Sequence, residues 1–327
     1  MTAPDTTSAP QGSTAGIALL VFSMLCISTN DMLIKFLSDG YPLHQIVFTR
    51  SVIGICITLI FLRLEGGLKL LRTDRPVLHL IRALLLVLAN LFFFAGLAAL
   101  PLAEVSVLFF VAPLLITLLS IPVLGERVGP RRLTACAVGF VGVLLMLAPG
   151  GAPLGEDVPR WTLALPVVAA FCYAMMQVLT RKLGATSQAS AMSFYIQATF
   201  IVTSLAFWLV AGDGRFAETA SNPSMVFLFR AWVWPAPEDL WVFGLIGVLV
   251  GVMGYAIAQA YRLGDPATLA PFEYIALPMA VLWGIVIFGD VPGLRTMAGI
   301  ALIAGSGLYV FFRERSRGAP ARALRRS

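Results

Sequence analysis

The chain has 327 residues, 59 % of them hydrophobic and only 12 % charged, with a mean hydropathy of +0.89. A soluble domain carries about 25 % charged residues, so too few charges are present to cover a water-facing surface, and the composition selects an all-α integral membrane protein. The formal net charge of +6 comes from loop bias and a basic C-terminal tail, which excludes nucleic acid as a partner.

Residues 1–14 (MTAPDTTSAPQGST) read as a disordered cytoplasmic tail. The first Lys or Arg is Lys35, so the first apolar segment lacks the basic flank of a secretory signal and is expected to remain as a helix. On a ruler of about 20 residues per crossing, ten transmembrane helices are expected: 15–37, 44–63, 77–100, 102–124, 131–148, 160–181, 189–211, 239–262, 267–288 and 295–313. Leu100-Pro101 divides the long apolar run 77–124, and Gly264-Asp265-Pro266 divides the eighth helix from the ninth. Residues 149–159 read as an external linker, 212–238 as an external loop and 314–327 as a basic cytoplasmic tail. Within the loop, MVFLFRAWVW (225–234) is half a span long and reads as interfacial, with Trp232, Trp234 and Trp241 at headgroup depth.

Lys and Arg divide 16 to 5 between the two sets of helix ends, with Arg50 and Arg82 inside spans. The richer set holds both termini, which places them in the cytoplasm. The even number of spans requires the termini to agree.

Two proline-bearing runs echo each other. PLAEVSVLFFVAPLLITLLSIPVLGE (101–126) and DPATLAPFEYIALPMAVLWGIVIFGD (265–290) align at a shift of 164, which pairs Gly125 with Gly289 and Glu126 with Asp290. A shift of 147 pairs Asn30 with Gln177 and Lys35 with Lys182. The expected fold is therefore ten helices in two inverted five-helix repeats, 15–148 and 160–313, with a substrate site near the midplane between them. LGERVGPRRLTACAVGFVGVLLM (124–146), FGDVPGLRTMAGIALIAGSGLYV (288–310) and the basic ends IKFL and TRKL resemble the EamA family of the drug/metabolite transporter superfamily, over about 15–313. The resemblance implies an inner-membrane carrier. In character it is similar to YddG-like exporters of aromatic and other neutral amino acids.

Polar and aromatic residues at helical spacing mark candidate cavity walls: Asn30 on the first helix, Asn90 and Phe94 on the third, Tyr173 and Gln177 on the sixth, Tyr255 and Gln259 on the eighth, Glu273 and Tyr274 on the ninth. Such groups avoid lipid, so they face either a cavity or a neighbouring helix. Glu273 either takes a proton or substrate amino group, or pairs with Arg82. Arg50 calls for Asp31 or Glu104 across the bundle, and Asp31 can pair with Lys35 one turn away on its own helix. Pro113, Pro271 and Pro278 are candidate kinks that flex as the pathway gates. Gly244, Gly247, Gly251 and Gly254 form a small-residue packing face.

The function expected is export of a small amphipathic metabolite, an amino acid first, by alternating access, with protons as a possible coupling partner. A drug, nucleoside or sugar carrier is the alternative. An intramembrane enzyme lacks its motifs, and a channel fits a single-chain inverted repeat poorly. No cofactor or metal is called for. The four cysteines (Cys26, Cys56, Cys136, Cys172) read as small buried hydrophobes, and a monomer is compatible with the chain.

Overall fold

The computed structural model describes residues 11–72, 76–125, 128–148, 158–183, 189–218, 220, 222–263 and 269–323. Among these residues there is no β-strand. Long helices are α1 (Gln11–Leu37), α2 (Leu43–Glu65), α3 (Pro76–Ala99), α6 (Pro130–Leu147), α7 (Ala164–Leu183), α8 (Ala189–Ala211), α10 (Leu240–Leu263) and α12 (Leu294–Ala323). Short ones are α4 (Leu102–Phe109), α5 (Ala112–Leu124), α9 (Pro223–Phe229) and α11 (Ala276–Trp283). Among the described residues, seven stretches are long and apolar enough to cross a membrane, and three shorter apolar ones lie at Leu133–Leu147, Phe272–Phe288 and Leu294–Tyr309. The expected tail 1–14 lies outside the described residues up to 10, and α1 is helical from Gln11. Most of the expected linker 149–159, and the acid Glu126, lie outside them too. The backbone of α12 stays helical to Ala323, ten residues past the span end expected at 313.

The two proline-bearing runs are not single kinked helices. The first is interrupted at Phe110–Val111, and Pro113 then sits in the opening turn of α5. The second is a 3-10 turn (Ala270–Ile275), then α11, then a π-turn (Gly284–Phe288). Pro271 opens the 3-10 turn, and Pro278 falls in the first turn of α11. Proline lacks an N–H and is tolerated where a helix starts, so these three prolines mark helical starts, whereas Pro122 lies inside α5. Both runs stop in the same way. Gly125 (φ 70°) and Gly289 (φ 71°) take the left-handed conformation that a side chain disfavours, so the two runs share one kind of cap.

Helix α1 packs on α10, α2 on α8 and α10, α3 on α7 and α8, α5 on α7, and α6 on α12. Close approach of α10 to α2 depends on two glycines. A Cβ at Gly247 would fall 2.5 Å from Ile53 Cβ, and one at Gly251 2.8 Å from Ile57 Cβ. Gly244 has nothing within 4 Å and Gly254 meets only Ser193 Oγ at 3.7 Å, so half of the expected glycine face makes the contact. None of the four cysteines forms a disulfide; Cys26, Cys136 and Cys172 are buried, but Cys56 is exposed, against expectation.

The segment 223–239 caps one end of the bundle. Gln45 donates to Val233 O at 2.6 Å and accepts from Val233 N at 3.2 Å. The Tyr41 hydroxyl donates to Asp239 at 2.6 Å and accepts from Ala236 N at 3.0 Å. Burial and the Asp239 carboxylate push that phenol's pKa up, so it stays a donor. Arg230 donates to the carbonyls of Ser38 and Asp39. Trp232 stacks on His44 and packs on Phe48 and Trp208. Trp234, by contrast, is 94 % exposed. Gln45→Ala would strip both hydrogen bonds from the Val233 backbone and cost roughly 1–3 kcal/mol. Hydrogen exchange over 230–236 should then speed up while the exchange of α6 stays unchanged.

Candidate functional site

The site is best built outward from Arg50. It lies two turns into α2 and is 4 % exposed. Its Nη2 donates to Asn90 Oδ1 on α3 at 2.6 Å. The guanidinium lies over Phe94 of α3 at 5.2 Å and Phe200 of α8 at 5.4 Å, both cation–π distances. Its expected acid partners are not its contacts. Asp31 is near enough to act on Arg50 electrostatically but accepts its hydrogen bond from Asn30, at 3.1 Å. Glu104 is held elsewhere, accepting from Thr296 of α12 at 3.1 Å.

The expected Asp31–Lys35 pair does not form either. Lys35 Nζ turns to the end of α3 and donates to Leu97 O at 3.2 Å and Leu100 O at 2.6 Å, where helix carbonyls lack partners of their own. It also lies over Phe288 at 5.2 Å and within the fields of Glu104 and Asp290. The ends of α1, α3, α4, the π-turn and α12 are thereby gathered around one ammonium group.

From Phe94 an aromatic row runs inward. Phe94 meets Phe93 at 5.2 Å, Phe93 meets Phe109 at 5.1 Å, and Phe109 meets Tyr173 at 5.4 Å. The Tyr173 hydroxyl accepts from Gln177 at 2.8 Å and lies within the field of Glu273. Tyr274 packs on Phe110 at 5.4 Å and presses on the bare backbone of Gly307, where a Cβ would fall 1.7 Å from its hydroxyl. The row therefore has a cationic, amide-bearing end at Arg50 and Asn90, and a phenol, amide and carboxylate end at Tyr173, Gln177 and Glu273. That makes it suited to an elongated molecule with a flat apolar body and polar ends.

Asn90, Phe94, Tyr173 and Gln177 thus belong to one chain of contacts; Glu273 acts on it electrostatically through Tyr173, and Tyr274 lies beside it against Phe110. Asn30 stands beside it, linked through Asp31 to Arg50. Tyr255 and Gln259 do not join: they bond each other at 2.6 Å, and Tyr255 stacks flat on Phe61 at 3.9 Å, in the α2–α10 contact. Arg50 was visible in the sequence as an intramembrane cation. Phe93, Phe109 and Phe200 carried no signal among 22 phenylalanines.

A cavity opens beside Arg50, with about 40 Å³ of water-accessible space between α2, α3, α8 and α9. His44, Asn90, Phe200, Thr203 and Leu228 line it. A single water needs roughly 10–15 Å³ and a drug-sized ligand roughly 300–1,000 Å³. The cavity has room for a few waters and not for a drug-sized ligand. Among the described residues, no three His, Cys, Asp or Glu side chains converge as a metal site would require.

A family profile described as the EamA-like transporter family matches residues 14–148. The riboflavin transporter of Rhizobium johnstonii is 30 % identical over 93 % of this chain and 90 % of its own. The S-adenosylmethionine uptake transporter of Rickettsia prowazekii is 24 % identical over 92 % and 93 %, and the pseudopaline exporter CntI of Pseudomonas aeruginosa is 26 % identical over 88 % and 93 %. One solved crystal structure shares the fold, at TM-score 0.58 and 22 % identity over 92 % of this chain and 96 % of the other. The helices, the membrane-length spans and the relatives agree, and the chain belongs to the EamA-like transporter family of the drug/metabolite transporter superfamily, a multi-pass membrane transporter.

Proposed function

We propose that the protein carries a small polar metabolite with a planar ring across the bacterial inner membrane by alternating access. The aromatic row from Phe94 to Tyr173, polar at both ends, is the observation that carries this reading. The moving parts are two inverted halves, 15–148 and 160–313, with ten crossings and both termini in the cytoplasm. Two features support the halves. The α1–α10 contact has its counterpart in α7–α3, and the left-handed cap at Gly125 recurs at Gly289. The 16-to-5 bias of basic residues supports the orientation.

Relatives named for riboflavin and S-adenosylmethionine favour a heteroaromatic cargo, riboflavin first. The amino-acid export expected from the sequence is the second cargo reading; it rests on the same row, since a phenylalanine ring fits there as a flavin does.

Proteoliposomes decide between them. Labelled riboflavin should show saturable flux, and Phe109→Ala should lower it about tenfold by removing the ring between Phe93 and Tyr173. Saturable flux of phenylalanine without riboflavin would select the amino-acid reading, and saturable flux of neither would reject the ring-bearing cargo. Measuring flux in both directions across oriented vesicles separates uptake from export.

A further inference from the structure

We propose that Arg50 is a cargo-binding residue that grips a planar group presenting acceptor oxygens in its own plane, with Phe94 and Phe200 as the faces of the slot. The inference rests on the carrier reading and names the part of the cargo recognised at this end of the row. The carboxylate of an aromatic amino acid and the carbonyl edge of a flavin-type ring share that chemistry.

Three observations carry it. First, a buried arginine in a membrane helix is costly and ordinarily has an acid against it. Among the described residues, none lies within salt-bridge distance of Arg50. It has only the neutral oxygen of Asn90, and its Nε has no hydrogen-bond partner. Second, the guanidinium carbon lies over rings on α3 and α8 at 5.2 and 5.4 Å, so aromatic faces line its surroundings while its fork of N–H groups has donors left for a ligand. Third, Asn90 and Phe200 also line the cavity beside it, where a water-sized opening already exists. Further unpartnered polar atoms lie close in sequence on the same two helices. Ser51 Oγ follows Arg50 on α2, and Gln197 Oε1 lies one turn before Phe200 on α8, its amide 3.0 Å from where a Cβ on Gly54 would stand. A slot with idle donors and acceptors is what a bound cargo would satisfy.

The test uses the purified full-length protein in detergent, with melting temperature as the readout. The probes are benzoate, benzyl alcohol, phenylalanine and riboflavin. In the wild type, benzoate should raise the melting temperature and benzyl alcohol, which keeps the ring but lacks the carboxylate, should not. Phenylalanine and riboflavin arms tell which source of acceptor oxygens the slot takes. Arg50→Lys keeps the charge but loses the fork, and should need at least about tenfold more probe for the same shift. The combined variant Arg50→Met with Asn90→Leu, made together with Asp31→Asn so that no buried carboxylate loses its cation, should melt no lower than wild type without ligand, because the buried cation is removed along with its amide and the charge that acts on it. It should show no benzoate shift.

A combined variant that melts well below wild type without ligand would make Arg50 a structural residue and overturn the proposal. So would an Arg50→Lys variant that responds like wild type, or a wild type that no acceptor-bearing probe shifts. A benzoate shift in a protein that carries neither riboflavin nor phenylalanine would leave the slot standing and reject only the cargo class.

Discussion

Gly247→Val combined with Gly251→Val is expected to leave no folded carrier. Helix α10 lies against α2 because these two positions lack side chains. The nearest atoms to a new Cβ are the branched Cβ atoms of Ile53 and Ile57, at 2.5 and 2.8 Å. Neither isoleucine can rotate its own Cβ away, so relief requires the helices to part. Overpacking costs about 1–3 kcal/mol per site, and two sites on one contact approach the total stability of about 5–15 kcal/mol of a typical protein. Gly244→Val is the control on the same helix, since nothing lies within 4 Å of a Cβ there. Gel filtration of detergent extracts should show the double variant aggregated or absent and Gly244→Val at the wild-type position. A monodisperse double variant with an unchanged melting temperature would mean that α2 and α10 are not held this close.

Lys35→Met is expected to cost about 1.5–3 kcal/mol. The substitution removes the donor from the carbonyls of Leu97 and Leu100, and takes the positive field of Lys35 away from Glu104, which is 1 % exposed. Glu104 already has one oxygen, Oε2, without a hydrogen-bond partner. Adding Glu104→Gln to Lys35→Met should therefore recover part of the loss, since the uncompensated charge goes with it. A double-mutant cycle on melting temperature reads this directly, and simple additivity of the two substitutions would refute the coupling. Transport should fall along with stability, because five segment ends meet at this lysine.

Much of the fold was legible in the sequence, because membrane spans announce themselves by length and hydropathy. The interruptions of the two proline-bearing runs were legible only as bends. A proline's position says that a helix is disturbed, but whether it bends or restarts depends on the neighbours that accept the freed carbonyls. Side-chain partners were less legible. One-turn spacing suggested Asp31 with Lys35, yet the lysine reaches another helix's end, and Asn90 rather than an acid meets Arg50. Spacing fixes which residues share a face and says nothing about what that face meets. Tyr255 with Gln259 repeats the spacing of Tyr173 with Gln177, but one pair lies on Phe61 and the other beside Glu273.

The hydrogen bonds that fasten 223–239 over α2 join residues 184 to 198 positions apart in sequence. Contacts of that separation form late, after the loop-closure entropy of everything between them has been overcome. During synthesis, α2 would enter the membrane long before its cover exists, leaving Gln45 and Tyr41 to water or to insertion factors. This end of the bundle would thus close only after 223–239 has been made. A chain interrupted after α6 would lack partners along its length as well, since α1, α2, α3 and α6 pack on α10, α8, α7 and α12, and those open helix faces are what quality-control machinery could read.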